Sequence, residues 1–251
     1  MHSSPYLTPQ WNAPRHIRAL CSTRHGHTAV VDNVAATEGA RAVWLHQVHG
    51  TKVVSLDNHS HHIALNAEAD GSCTDHPHTA CVVRVADCLP ILLCNTQGTW
   101  VAALHAGWRG LAGHQGIGVV EQARSAYRAA NGVASDLIAW LGPCIGKTAF
   151  EVGDEVRLAF TAHQPETQPF FTPVIHAEKS AEKKWMADLA GLARWRLQAA
   201  GIPNHAIFGN DGSRAWCTVS NPDQFFSYRR EKECGRMAAA IWINAAPIPV
   251  P

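Results

Sequence analysis

An α+β (mixed α/β) fold, a single domain of mixed β-sheets flanked by helices, is what this 251-residue sequence predicts, on three observations. Short apolar runs read as strands, longer segments with apolar residues three or four apart read as helices, and the two kinds do not alternate strictly. A hydrophobic content of 46% can fill a substantial core.

Taken in order, the apolar runs Arg18 to Thr23, Ala42 to Leu45 and Val53 to Leu56 predict the first strands, and Asp57 to His62, "DNHSHH", a polar loop. Cys81 to Val85, Ile91 to Cys94 and Trp100 to Leu104 predict three more strands. Periodic apolar positions predict a helix over about Gly118 to Ala130, then a strand follows at Leu137 to Leu141. The same period predicts helices at Asp154 to Ala162, Trp185 to Ala200 and Glu233 to Ile243, with a strand at Ala206 to Phe208. Gln164 to Thr172, "QPETQPFFT", is a proline-containing connection too short to link domains. No segment repeats with a period of 20 to 50 residues. One domain over 1–251, with its core at about 18–243, is the expected organisation.

Charge is balanced, with 21 Lys and Arg against 20 Asp and Glu. No global field then favours nucleic acid or an anionic membrane, and a small molecule is the expected partner. The opening "MHSSPYLTPQWNAP" carries no basic leader or apolar signal core, and no apolar run approaches about 18 residues. A cytoplasmic monomer is the expectation. The 8 cysteines are scattered without CxxC pairs, which argues against a disulfide framework and a four-cysteine zinc module.

The stretch "LHAGWRG", Leu104 to Gly110, ends an apolar run in a histidine and a glycine-flanked loop. Glycines there let another group approach closely. In "ADCLPILLCNTQGTWVAALHAG", two apolar runs flank the turn-forming Asn95-Thr96-Gln97-Gly98. If Thr96 and Gln97 form a two-residue loop, Cys88 faces His105 directly. A bulge near Pro90 would send the two to opposite faces. A thiolate and an imidazole on one face suit zinc, and a catalytic zinc takes three protein ligands with one open position. The third candidate lies in "WLHQVHG", where His46 and His49 would face opposite sides of a strand and His49, beside Gly50, is the better placed. A buried thiol and a hydrogen-bonded strand-end histidine remain the alternative reading of Cys88 and His105.

The chain resembles the YfiH-like family on "STRHGHT" (22–28), "HQVHG" (46–50), "EADGSCT" (68–74), "VADCLPILL" (85–93), "ALHAGWRGLAG" (103–113), "GPCIG" (142–146), "FEVGDEV" (150–156) and "FFSYRR" (225–230), followed by "GRMAA". That family was described first as multicopper polyphenol oxidoreductases or laccase-domain proteins, later as zinc-dependent purine nucleoside phosphorylases with adenosine deaminase activity. The resemblance implies a single α-β domain and His49, Cys88 and His105 as metal ligands. Two departures are His27, where the family usually has the last glycine of "TRxGG", and His114, where it usually has the last glycine of "AGG".

The chemistry so implied is twofold. Zinc-bound hydroxide could deaminate adenosine at C6, with Asp87 as acid or base, or else as a carboxylate bonding its own turn. Phosphorolysis of adenosine, inosine, guanosine or methylthioadenosine needs cations to hold phosphate. Arg24 and Arg229 are the catalytic candidates, Arg109 and Arg230 join them as substrate-binding candidates, and backbone N–H groups of Gly110 to Gly118 could assist. Trp108 and Phe226 could stack on the purine. Cys144 reads as structural rather than as a nucleophile.

Three other readings compete. A copper-binding polyphenol oxidase would need more histidine clusters than one, and the doublets His25/His27, His59/His61 and His76/His78 lie in polar loops, so copper is expected to be adventitious. A zinc amidase acting on a cell-wall precursor peptide could use the same hydroxide. A non-enzymatic zinc module would close the site with a fourth ligand, His25 or His46.

Overall fold

Two sheets face each other, and helices cover both outer surfaces. The computed structural model describes residues 4–56, 67–130, 132–175 and 183–244. The first sheet runs β1 (Tyr6–Leu7), β2 (Ile17–Ser22), β14 (Met237–Ile243), β6 (Thr79–Val85), β3 (Arg41–Val43). The second runs β13 (Ile207–Gly209), β9 (Leu137–Leu141), β7 (Leu89–Asn95), β8 (Val101–Ala106), β5 (Gly71–Thr74), β4 (Val53–Ser55). Both mix parallel and antiparallel pairs, as the predicted fold class requires: β3 with β6, β4 with β5 and β9 with β13 are parallel. A third, small sheet joins β10 (Glu151–Gly153), β12 (Lys184–Ala187) and β11 (Phe171–Pro173).

Alternation along the strands divides the core. From β7, Leu92 and Cys94 meet Cys81, Val83, Ala239 and Ile241 of the first sheet, while Leu89, Ile91 and Leu93 turn to the helices. All seven β7 residues are buried, and each fully buried Leu or Ile contributes about 1.5–3 kcal/mol. On the outer face of the first sheet lies α1 (Ala29–Thr37), which buries Val31 and Ala35 against Leu20, Val82 and Trp242. The second sheet is covered by α3 (Val119–Ala129), α4 (Asp154–Thr161) and α5 (Leu189–Ala199), with the short α2 (Trp108–Ala112) following β8. Among the described residues no helix is long and apolar enough to cross a membrane.

Several expectations are corrected. The helix expected at Glu233 to Ile243 is the central strand β14: "MAAAIWI" is buried at every position, so it lacks the polar alternation that marks a half-exposed strand. The helix expected from Trp185 begins only at Leu189, because Asp188 accepts a hydrogen bond from Gly191 N at 2.8 Å and caps it, and Lys184–Ala187 before it is β12. Helix α1 was not expected, since three valines and a threonine weaken its helical signal. Gln164 to Thr172 forms a 3-10 turn and the start of β11. The polar loop Asp57 to His62, with His59 and His61, lies outside the described residues.

Candidate metal centre

The β7–β8 hairpin positions the first two candidate ligands, in a different register from the expected one. Pro90 pairs with His105 and Leu89 with Ala106, so the turn holds four residues, Thr96 to Thr99, instead of two. Asn95 fixes that length: its Oδ1 accepts from Thr99 N at 2.8 Å and Trp100 N at 3.0 Å. Cys88 therefore stands opposite Gly107, one diagonal step from His105. A slip of two residues keeps every side chain on its face, so Cys88 and His105 still share one. Gly107 makes the room: a Cβ there would lie 2.9 Å from Cys88 Sγ and 3.4 Å from His49 Cδ2.

The third candidate ligand arrives on the loop after β3. His49 is exposed, with a left-handed φ of 60°, and its ring meets His105 edge-on with centroids 4.8 Å apart. The ligand atoms of His49, Cys88 and His105 all lie within 4.8 Å of one another, the one such grouping among the described residues. A residue that sequence reasoning missed sits behind them. Fully buried Asp70 accepts from His105 Nδ1 at 2.7 Å and from the backbone N–H groups of His49 and Gly50 at 2.8 and 2.7 Å.

The same contacts set the charges. Burial pushes the Cys88 thiol up, but hydrogen bonds and charge from His105 and His49 outweigh it and bring it down from 9.0 to about 6. Burial also pushes His105 down, while Asp70 and the Cys88 thiolate more than offset this and raise it from 6.5 to about 9. Both shifts favour a thiolate–imidazolium pair in the metal-free site. Cys88, with its folded value depressed, contributes stability that is complete above 9.0 and lost as pH falls through about 6. His105, with its value raised, contributes stability that is complete below 6.5 and lost as pH rises through about 9. The Tm of metal-free protein should therefore decline on both sides of that window more steeply than the Tm of Cys88→Ala; parallel profiles would contradict the pairing.

The cluster opens into a cleft of about 630 Å³, of the size small-molecule sites have. Of the residues expected to act, Asp87, Trp108, Arg109 and Arg229 line it with the three ligands, and Arg24, Phe226 and Arg230 do not. Arg24 bonds the Pro222 carbonyl and lies over Phe226, with His27 against the same ring. Arg230 donates to the carbonyls of Thr218, Val219 and Phe225. Arg229 donates to those of Ala149 and Glu151 at 3.3 and 3.2 Å. Asp87, at a left-handed φ of 88°, accepts from Thr218 Oγ1 at 2.5 Å and from Arg229 N at 2.6 Å. Among the described residues the Arg109 guanidinium makes no hydrogen bond or ion pair, and it stacks 4.4 Å from the Trp108 centroid. Arg84, Phe150, Tyr228 and Arg236 also line it; the last three fall in the motifs that carry the family resemblance, but their residue types alone gave them no role.

Other expectations resolve away from the cleft. Several of the N–H groups before α3 already donate within the chain: Leu111, Gly113, His114 and Ile117 to carbonyls, and Gly118 to Glu121, which pairs with buried Arg196. Cys144 is buried, and burial holds its thiol well above the usual range, which fits a structural role. His46 lines the cleft and His25 bonds the Asp223 carbonyl, and neither joins the ligand group. His114 is exposed, in a bridge to Ile117.

Relatives share both sequence and fold. A family model described as multi-copper polyphenol oxidoreductase laccase matches residues 23–244. An Escherichia coli protein named purine nucleoside phosphorylase YfiH is 39% identical over 264 residues, covering 96% of this chain and 99% of that protein. A Pseudomonas aeruginosa purine nucleoside phosphorylase is 39% identical over 262 residues, covering 95% and 98%. The crystal structure of a Neisseria meningitidis DUF152 protein superposes with a TM-score of 0.80 at 35% identity, over 96% of this chain and 100% of that one. Matches spanning nearly the whole chain place it in the YfiH family, the family described as multi-copper polyphenol oxidoreductase laccase.

Proposed function

We propose that this chain is a zinc-dependent purine nucleoside phosphorylase, acting as a cytoplasmic monomer on adenosine, inosine, guanosine or methylthioadenosine with phosphate. The observation that carries the reading is the convergence of His49, Cys88 and His105 at a cleft walled by aromatic rings and arginines. The names of the relatives point the same way.

The donor set fits zinc: two imidazoles and a low-pKa thiol, with no fourth His or Cys in the group among the described residues. His49, Cys88 and His105 would hold the ion, which when bound supplies a Lewis acid able to activate water near neutral pH. The set also resembles that of a single blue copper, but a multicopper oxidase needs further histidine clusters, and the described residues bring none together.

Phosphorolysis forms a bond from a phosphate oxygen to C1′ and breaks the bond from C1′ to the purine nitrogen. Trp108 offers the base a stacking surface, and Arg109 above it offers unpaired N–H groups to phosphate. Arg229, already bonded to two carbonyls, adds charge to the wall. Asp87 is the proposed proton carrier, for the departing purine and, in the related deamination of adenosine, for the leaving amine. A phosphate clamp made by Arg109 means that Arg109→Ala should raise the phosphate KM about 10- to 100-fold, with adenosine deamination changed far less. Metal-loaded wild type should release hypoxanthine from inosine only with phosphate present. Release without phosphate would overturn the phosphorylase reading, and an unchanged phosphate KM would remove Arg109 from it.

A further inference from the structure

We propose that Asp70 is the positioning residue of the metal site: one carboxylate sets the free nitrogen of His105 and the backbone of the His49 loop together. Four contacts converge on it. Oδ1 accepts from His105 Nδ1 at 2.7 Å and from His49 N at 2.8 Å. Oδ2 accepts from Gly50 N at 2.7 Å and Val48 N at 3.2 Å. The Asp70 carbonyl also accepts from His105 N at 2.7 Å, so His105 is held at backbone and ring alike.

Topology explains the arrangement. Gly71 pairs with Leu104 across β5 and β8, so one step further the ladder sets Asp70 beside His105 on the face that carries Cys88. Pro90, directly across from His105 on the other side, turns its carbonyl away to Gly142 N, and the His105 N–H goes to Asp70.

Two consequences follow for the ligands. With Nδ1–H donated to a carboxylate, Nε2 is the nitrogen left for metal, and the bond fixes the ring's orientation. Three successive N–H groups, Val48 to Gly50, converge on the same carboxylate and hold His49 at a φ of 60°, where a non-glycine residue is strained. The loop is thereby built before metal arrives, and its ordering is not charged against metal affinity. An amide at position 70 cannot do both tasks. With its oxygen in the Oδ1 place it keeps His105 and His49 N but turns its NH2 against the N–H groups of Val48 and Gly50; flipped, its NH2 opposes His49 N and reverses the His105 tautomer.

This inference rests on the metal-site reading, and the experiment separates the two. Zinc affinity is measured by competition with a chromophoric chelator, and amide hydrogen exchange is followed at residues 48–50 in metal-free protein. Asp70→Asn should bind zinc about 10- to 100-fold more weakly and lose protection at 48–50, with β14 amides unchanged. In a His49→Ala background the same substitution should cost clearly less affinity, because part of its effect passes through His49. Folded Asp70→Asn with wild-type affinity and protection would overturn the proposal, whereas wild type that binds no zinc would overturn the metal site itself. Should the variant not fold, nitrogen NMR of zinc-loaded wild type decides: metal on Nε2 of His105 with a proton on Nδ1 supports the clamp, and metal on Nδ1 refutes it.

Discussion

Cys88→Ala protein should purify with little zinc and lose phosphorolysis by about 10³-fold or more. Removing the thiolate leaves two imidazoles, one on an exposed loop, and a two-ligand site competes poorly for zinc. The loss should be specific to the site. Cys88 precedes β7 and packs only against the edge of the small cluster of Val85, Phe225, Phe226 and Met237, so the fold should survive. Zinc content by atomic absorption and thermal unfolding in the presence of chelator check the two halves. Full zinc occupancy in the variant would remove Cys88 from the ligand set.

Gly107→Val should cost nearly as much. Were Gly107 needed only as a bend, its loss would disturb the substrate loop and spare the metal. In the structure its φ of −67° and ψ of 162° are open to any residue. What valine cannot share is space: its Cβ would start 2.9 Å from the Cys88 sulfur, and the branched methyls reach further. Displacing Sγ from His49 and His105 should weaken zinc binding at least about tenfold along with activity. Gly107→Ala should show a smaller loss of both. If Gly107→Val binds zinc normally and loses only turnover, the bend explanation returns.

These two residues show how far sequence patterning reached. The apolar runs flanking a turn were enough to bring Cys88 and His105 to one face, because faces depend only on whether the register shift is odd or even. The turn length was misjudged because Asn95 bonds forward to Thr99 and Trp100, which residue type alone does not announce. Applying the same pairing to the next strand would have reached Asp70, a carboxylate in the wholly buried run Ala69 to Thr74. Among the arginines, sequence could not rank Arg24, Arg109, Arg229 and Arg230. Their availability depends on backbone carbonyls up to 198 positions away in the chain, as for Arg24 and Pro222. Strand β14 was hidden by its own burial, since seven apolar residues in a row carry no period.

The central claim, that one metal at His49, Cys88 and His105 drives phosphorolysis, is tested most directly by titrating zinc into metal-free protein while following phosphate-dependent release of hypoxanthine from inosine. Activity should rise linearly to about one equivalent of zinc per chain and then level off, and Cys88→Ala should stay flat throughout. Full activity before any zinc is added, or the same rise in Cys88→Ala, would contradict the account.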